Sequence, residues 1–329
     1  MRDGRAGGSR ARTVFLGSGG FGVGALERLA GHSEIELVGI VTAPPRPAGR
    51  RRAVTPTPIE AAARDVGVAT ILTPERLRTP EAIDAVLTLG PDLVVLADYG
   101  QIVPDGLLGL RHGALNLHPS LLPRHRGATP VPAAILAGDA ETGVTLMRMD
   151  AGLDTGPIVA QERVPLDGTE TAPALEQRLS AIAGDLLVRS VGPWVRGDLA
   201  TTPQDEAAAT LTRPLRREDG RLDPARPAVE LERQVRAYQP WPGSFVETPV
   251  GRVTVWASSV LPGRRADRPG TLTDDDGTGL AIATIDGRLR LDEVQPAGGR
   301  RMDGPSWRRG LRPSKVILGR LLGRVSIDP

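Results

Sequence analysis

Along the first half of the chain, short continuous apolar runs take turns with segments of helical apolar spacing. RTVFLGSG predicts a strand and its turn, followed by a helix near Val23–Ala30. Ile35–Ala43 predicts a second strand, TPIEAAARDVG a helix, VATIL a short third strand and PEAIDAVLTL another helix. Asp92–Gly100 is apolar almost without interruption, as in a strand buried on both faces, and Gly113–Ser120 is the next strand. After Gly127 the spacing predicts a helix through Ala137, then the strand ETGVTLMRMD, which ends in AGLDTGPIVAQ, and a long helix from Ala172 to about Trp194. This rhythm predicts the α/β class, with a doubly wound, Rossmann-like, largely parallel sheet.

The pattern changes beyond Trp194. Residues 196–213 carry Pro, Gly and Thr with weak periodicity and predict a linker. GSFVETPVGRVTVWASSV and the stretch ending LRLDEVQPAG then alternate over short runs separated by Gly- and Asp-rich turns. They predict a smaller β-barrel of the oligonucleotide-binding kind. The expected organisation is a disordered basic extension over 1–12, a first domain over 13–195, the linker, and the β-barrel over 214–319. MRDGRAGGSRAR precedes only a short apolar run, so it predicts neither a secretory signal nor a membrane span, and the expected location is cytoplasmic.

Composition narrows the chemistry. A chain of 329 residues with 40% apolar content can bury the cores of two domains. It has no cysteine, which removes thiol nucleophiles, iron–sulfur clusters, Cys-based zinc sites and disulfides. Lys315 is the single lysine, so Schiff-base chemistry would rest on one residue near the C-terminus. Proton transfer narrows to His32, His112, His118 and His125. The net charge of +2 selects no partner, and nothing in the sequence calls for a metal.

GSGGFG, Gly17–Gly22, satisfies the dinucleotide fingerprint G-x-G-x-x-G. That mechanism also calls for an acid at the end of the second strand to hold the ribose hydroxyls. Here the strand ends Thr42-Ala43-Pro44-Pro45-Arg46, and Glu34 and Glu36 lie at its other end. Arg46 leaves a 2′-phosphorylated dinucleotide open. The alternative is a tight strand-to-helix turn whose glycines serve backbone conformation and close packing.

Ligands of such sheets lie beyond the carboxyl ends of the strands. Asn116 and His118, two apart on a predicted strand, point to one side there. Asp150-Ala151-Gly152-Leu153-Asp154-Thr155-Gly156 offers two carboxylates in a Gly-flanked loop. An amide can stabilise an oxyanion, and a carboxylate can orient an imidazole that moves protons. With no serine or cysteine nucleophile required, the set fits acyl transfer by direct attack of a substrate's own nucleophile. Taken singly, Asn116 could cap backbone groups, His118 could sit hydrogen-bonded in a core, and Asp154 could be a turn residue.

NLHPSLLPRHRGATPV and ILAGDAETGVTLMRMDAGLDTGPIV resemble the core motifs of the 10-formyltetrahydrofolate-dependent formyltransferases, and the resemblance spans Val14 to Gly310. It implies a Rossmann-like domain followed by an oligonucleotide-binding-type barrel, with 10-formyltetrahydrofolate as cosubstrate. Carried over by motif, Asn116, His118 and Asp154 are the catalytic set, and Ser120, Leu121, Leu122 and Pro123 help bind the folate. The core motifs also suit acceptors such as glycinamide ribonucleotide or a nucleotide-linked amino sugar. ELVGIVTAPPRPAGRRRAVTPTPIEAAA, Arg236–Gly243 and Leu291–Met302 favour the branch that formylates the α-amine of initiator methionyl-tRNA. In that branch Arg46, Arg50, Arg51 and Arg52 belong to a basic insertion that engages the tRNA acceptor end. His118-Pro119-Ser120, Arg124-His125-Arg126 and the glycines of the first loop depart from the pattern usual in that branch, and they bear on the acceptor more than on the reaction.

Overall fold

The computed structural model describes residues 10–48, 53–248, 251–265, 267–274 and 279–311. Arg50, Arg51 and Arg52 lie outside the described residues, as do residues 1–9 of the basic extension. The strands are β1 (Ala11–Gly17), β2 (Ile35–Val41), β3 (Arg46–Ala48), β4 (Ala53–Thr55), β5 (Ile71–Leu72), β6 (Leu93–Ala97), β7 (Ala114–His118), β8 (Arg126–Gly127), β9 (Glu141–Arg148), β10 (Ile158–Pro165), β11 (Leu211–Thr212), β12 (Ser244–Thr248), β13 (Gly251–Leu261), β14 (Leu272–Asp274), β15 (Leu280–Ala283), β16 (Arg288–Pro296) and β17 (Met302–Asp303). The α-helices are α1 (Val23–Ala30), α2 (Pro58–Asp65), α3 (Pro80–Leu87), α4 (Asp105–Leu108), α5 (Pro130–Ala137), α6 (Ala172–Arg196), α7 (Ala228–Ala237) and α8 (Gly304–Gly310).

The chain divides into two compact units, one of residues 1–130, 141–165 and 174–213 and the other of 131–140, 166–173 and 214 onward. In the first, seven strands among the described residues form a sheet in the order β10-β9-β7-β6-β1-β2-β5. β1, β2, β5, β6 and β7 run parallel, and β9 and β10 are the antiparallel edge. All five residues of β6 are buried, which accounts for its unbroken apolar run. α2 and α3 begin alike: Thr57 and Thr79 accept hydrogen bonds from the backbone of Glu60 and Ala82, with Pro at the first helical position. Such a cap contributes about 1 kcal/mol.

Strand register places Gly17, Val41, Ala97 and His118 at one edge of the sheet, the carboxyl edge of its parallel strands. The order reverses at β1, with β2 on one side and β6 on the other, and the GSGGFG turn leaves the sheet there. Close packing explains Gly17, Gly19 and their neighbour Gly24. A Cβ at Gly24 would stand 2.7 Å from the Ser180 carbonyl of α6, and one at Gly19 would coincide with the Asp98 carboxylate. Ser18 and Gly19 donate their N–H groups to the Asp98 carbonyl at 2.9 and 3.3 Å. A carboxylate lying on this loop repels a pyrophosphate, so of the two readings of the fingerprint the structure favours packing. Asp98 keeps surface open to solvent, yet the atoms crowded round its carboxyl desolvate it and raise its pKa. Glu176 on α6 is raised too, by burial and by the charge of Asp98.

Residues 196–213, for which the sequence predicts a linker, are folded into the first unit. Thr202 bridges Ile158, and β11 pairs in parallel with β8. Their periodicity is weak because their partners are a two-residue strand and irregular loops.

The second unit holds the antiparallel β domain expected from its short alternating strands, in the order β12-β13-β16-β15-β14 with β17 on β16. Leu231 and Val235 of α7 and Trp307 of α8 pack into its core with Val255, Ile282 and Leu289. Among the described residues no helix is long and apolar enough to cross a membrane.

Candidate active site

Asn116 and His118 share a face of β7, as their spacing predicts, and both are buried. The loop after β9 brings Asp154 to them. Asn116 donates through Nδ2 to Asp154 Oδ1 at 3.3 Å, and His118 Nδ1 stands 3.7 Å from Asp154 Oδ2. The same Oδ2 accepts from the Gly127 N–H at 2.8 Å. The strand pair and the loop carboxylate that the sequence offers separately are therefore one cluster. Asp154 occupies the left-handed backbone region, at φ +53°, which turns its carboxylate back toward β7.

His118 Nε2 lies 3.0 Å from the His125 carbonyl oxygen. A carbonyl only accepts, so Nε2 carries the proton and Nδ1 is the nitrogen left to face Asp154. Burial lowers the pKa of His118, while the Asp154 charge and the His125 carbonyl act in the opposite direction. The ring is thus neutral at neutral pH, with its vacant nitrogen beside a carboxylate that favours protonation.

Ser120 to Pro123 link this cluster to His125, and Ser120 and Leu122 are hydrogen-bonded inside the protein. The Ser120 hydroxyl donates to the Arg124 carbonyl at 2.6 Å, and the Leu122 N–H donates to Thr145 Oγ1 at 3.1 Å. The Leu122 carbonyl accepts from Gln161 Nε2 at 2.9 Å, and the Leu122–Pro123 peptide is cis.

Arg46 is exposed on β3, at the rim of a cavity of about 780 Å³ beyond the ends of β2 and β6. Arg76, Arg78, Tyr99, Gln101 and Ile102 also line it. The Tyr99 hydroxyl is buried without a partner, and burial pushes its pKa up to about 12. Ile102 is 74% exposed. Three arginines against the one carboxylate of Glu75 give the cavity lining an excess of positive charge. Arg76 and Arg78 carry no sequence signal, because they follow a two-residue strand in an irregular segment.

Gln204, Glu206 and Thr210 carry no sequence signal either, although with Arg126 they surround the cluster. Buried Arg126 donates Nε to Gln204 Oε1 at 3.0 Å, and its Nη1 and Nη2 grip the Glu206 carboxylate at 2.8 and 2.7 Å. No spacing rule reaches from 126 to 204.

Comparison with known proteins places the chain in a class. The formyl transferase family profile matches residues 11–191, and the profile of the formyl transferase C-terminal domain matches residues 214–312. Both units therefore carry the signature of formyl transferases. A methionyl-tRNA formyltransferase from Roseiflexus sp. (strain RS-1) is 48% identical over 92% of this chain and 93% of its own. Those from Chloroflexus aurantiacus (strain J-10-fl) and Halorhodospira halophila are 43% and 42% identical, over 94% and 92% of this chain and 99% and 97% of their own. The chain belongs to the methionyl-tRNA formyltransferase family.

Among solved structures, an N-formyltransferase from Helicobacter canadensis in complex with folinic acid and dTDP-3-aminofucose superposes with a TM-score of 0.62 at 16% identity, covering 86% of this chain and 98% of that one. HypX from Aquifex aeolicus in complex with tetrahydrofolic acid gives 0.59 at 18% identity, covering 91% of this chain and 47% of that one. This chain spans about half the length of HypX. At these identities the two establish the shared fold.

Proposed function

We infer that the chain transfers the formyl group of 10-formyltetrahydrofolate to the α-amino group of initiator methionyl-tRNA. The observation that carries the reaction is the convergence of Asn116, His118 and Asp154 at the carboxyl edge of the sheet; membership of the family carries the acceptor. The amine attacks the formyl carbon, and a C–N bond forms as the carbonyl electrons move onto oxygen. Asn116 spends one N–H on Asp154 and has a second for that oxyanion. An α-amine titrates near ~7.7–8.0, so part of it must lose a proton before attack. His118 takes the proton at Nδ1, where Asp154 stabilises the imidazolium. The intermediate collapses as the bond to N10 breaks, and the proton passes to N10. Ser120 to Pro123 act by shaping the loop that walls the folate site, which the bonds of the Ser120 hydroxyl and of the Leu122 N–H and carbonyl hold in place.

The test offers the purified chain 10-formyltetrahydrofolate with methionyl-tRNA, with a nucleotide-linked amino sugar, or with glycinamide ribonucleotide. Formylated product with methionyl-tRNA alone is expected. Product with either small acceptor instead overturns the reading.

The cavity lined by Arg46, Arg76 and Arg78 suits phosphates of the tRNA acceptor end, and Arg50, Arg51 and Arg52 belong to the same basic insertion as Arg46. Replacing Arg46, Arg76 and Arg78 by alanine is expected to raise the KM for methionyl-tRNA at least about tenfold. It should also lower the steepness of log KM against log salt by roughly 0.7–0.9 for each phosphate that is no longer neutralised. An unchanged salt slope removes these arginines from RNA binding.

A further inference from the structure

Two left-handed residues shape the cluster, and both are held by the segment for which the sequence predicts a linker. His125 has φ +59° and Asp154 φ +53°. Side chains disfavour this backbone region, so it persists where the surroundings hold it.

Gln204 grips the Asp154 loop. Its Nε2 donates to the Asp154 carbonyl at 2.8 Å and to the Gly156 carbonyl at 2.7 Å, fixing peptide planes that follow Asp154 in the loop. Its Oε1 accepts from buried Arg126, at 3.0 Å from Nε and 2.8 Å from Nη2, and Glu206 grips the same guanidinium. The Gln204 amide is therefore saturated, with both donors on the catalytic loop and its acceptor on Arg126.

Thr210 does the corresponding work on His125. Its Oγ1 accepts from the His125 N–H at 2.8 Å, its carbonyl accepts from the Arg126 N–H at 2.9 Å, and its N–H reaches the Pro123 carbonyl at 3.3 Å. The His125 carbonyl in turn receives Nε2–H of His118. One short strap, 204–210, thus holds the carboxylate on one side of the imidazole and the carbonyl on the other.

We propose that Gln204 and Thr210 are positioning residues for formyl transfer, Gln204 by aiming the Asp154 carboxylate and Thr210 by seating the carbonyl that orients His118. The assignment rests on the reaction inferred above. Neither side chain touches the reacting atoms, so the effect belongs in kcat and in the proton chemistry of His118. The charged and titratable groups that face His118 are the Asp154 carboxylate and the His125 ring.

The full-length chain with Gln204→Met, which keeps the length and loses the donors, tests this in steady-state formyl transfer to methionyl-tRNA. A kcat lower by about 10- to 100-fold is expected, because small displacements of catalytic groups are costly. Both KM values should stay within about twofold, and the acid limb of kcat against pH should move down as Asp154 swings away from His118. In an Asp154→Asn background the same substitution should cost less than about threefold, since its route of action is already cut. Equal costs in the two backgrounds, or an unchanged kcat with only a lower Tm, overturn the proposal.

Should Gln204→Met fail to fold, Thr210→Val, which removes only the hydroxyl that accepts from His125, makes the same test, with Thr210→Ser restoring the loss. Transfer by the unsubstituted chain with a silent Thr210→Val overturns the role of the strap alone. No transfer by the unsubstituted chain overturns the inferred reaction, and the strap assignment with it.

Discussion

Asn116→Ala lowers kcat for formyl transfer by about 10²- to 10³-fold, the loss usual for one oxyanion donor, and leaves the KM for methionyl-tRNA within a fewfold. The effect falls on kcat because the oxygen carries full charge only once the amine has attacked. Asn116 is buried on β7 and tied to Asp154 Oδ1 at 3.3 Å, so its amide is aimed before substrate arrives. That preorganisation makes the donor worth more than a hydrogen bond formed in water. Asn116→Asp is the sharper variant. It keeps the shape, removes both donors and sets a second carboxylate against Asp154, where like charge forces one of the pair to hold a proton. It should lose at least as much as the alanine variant, with the far-ultraviolet circular dichroism of the parent. Wild-type kcat in either variant takes Asn116 out of the reaction.

The cluster was half legible in the sequence, and the reason is geometric. Asn116 and His118 lie on one strand, so a period of two suffices to put them on one side. β6 is legible as an unbroken apolar run, and the Thr-Pro pairs at 57–58 and 79–80 mark the helix starts that the structure caps with those threonines. Asp154 stands in a suggestive loop, but its approach to β7 depends on a left-handed backbone that no local pattern specifies for an aspartate. Gln204 and Thr210 were illegible altogether. They act across some 50 and 85 residues of chain through a few hydrogen bonds to irregular backbone, and irregular segments have no period to detect. The glycine fingerprint failed differently. Its letters do mark a strand-to-helix turn at the switch point of the sheet, but Asp98, distant in sequence, is what fills the space over Gly19.

His118→Ala should cost about 10²- to 10⁴-fold in kcat, the range for a lost general base, and pH resolves what that number alone does not. Burial holds the folded pKa of His118 below its ordinary value of ~6.5, with Asp154 opposing the shift. kcat should therefore stay level through the ordinary histidine range and fall only at lower pH, as a proton loads Nδ1 and leaves nothing to receive one from the amine. Asp154→Asn removes the charge that favours protonation, so the limb should move lower still; a shift to higher pH refutes Asp154 as the partner. Stability follows the same sign. As pH falls through ~6.5 the unfolded chain binds the proton before the folded one does, so the contribution of His118 is complete above ~6.5 and is lost progressively toward the lowered folded value. Tm measured against pH should flatten in that window in His118→Gln, which keeps a polar side chain and cannot titrate. An identical Tm profile in the variant assigns the titration to another group and deprives the base mechanism of its physical support.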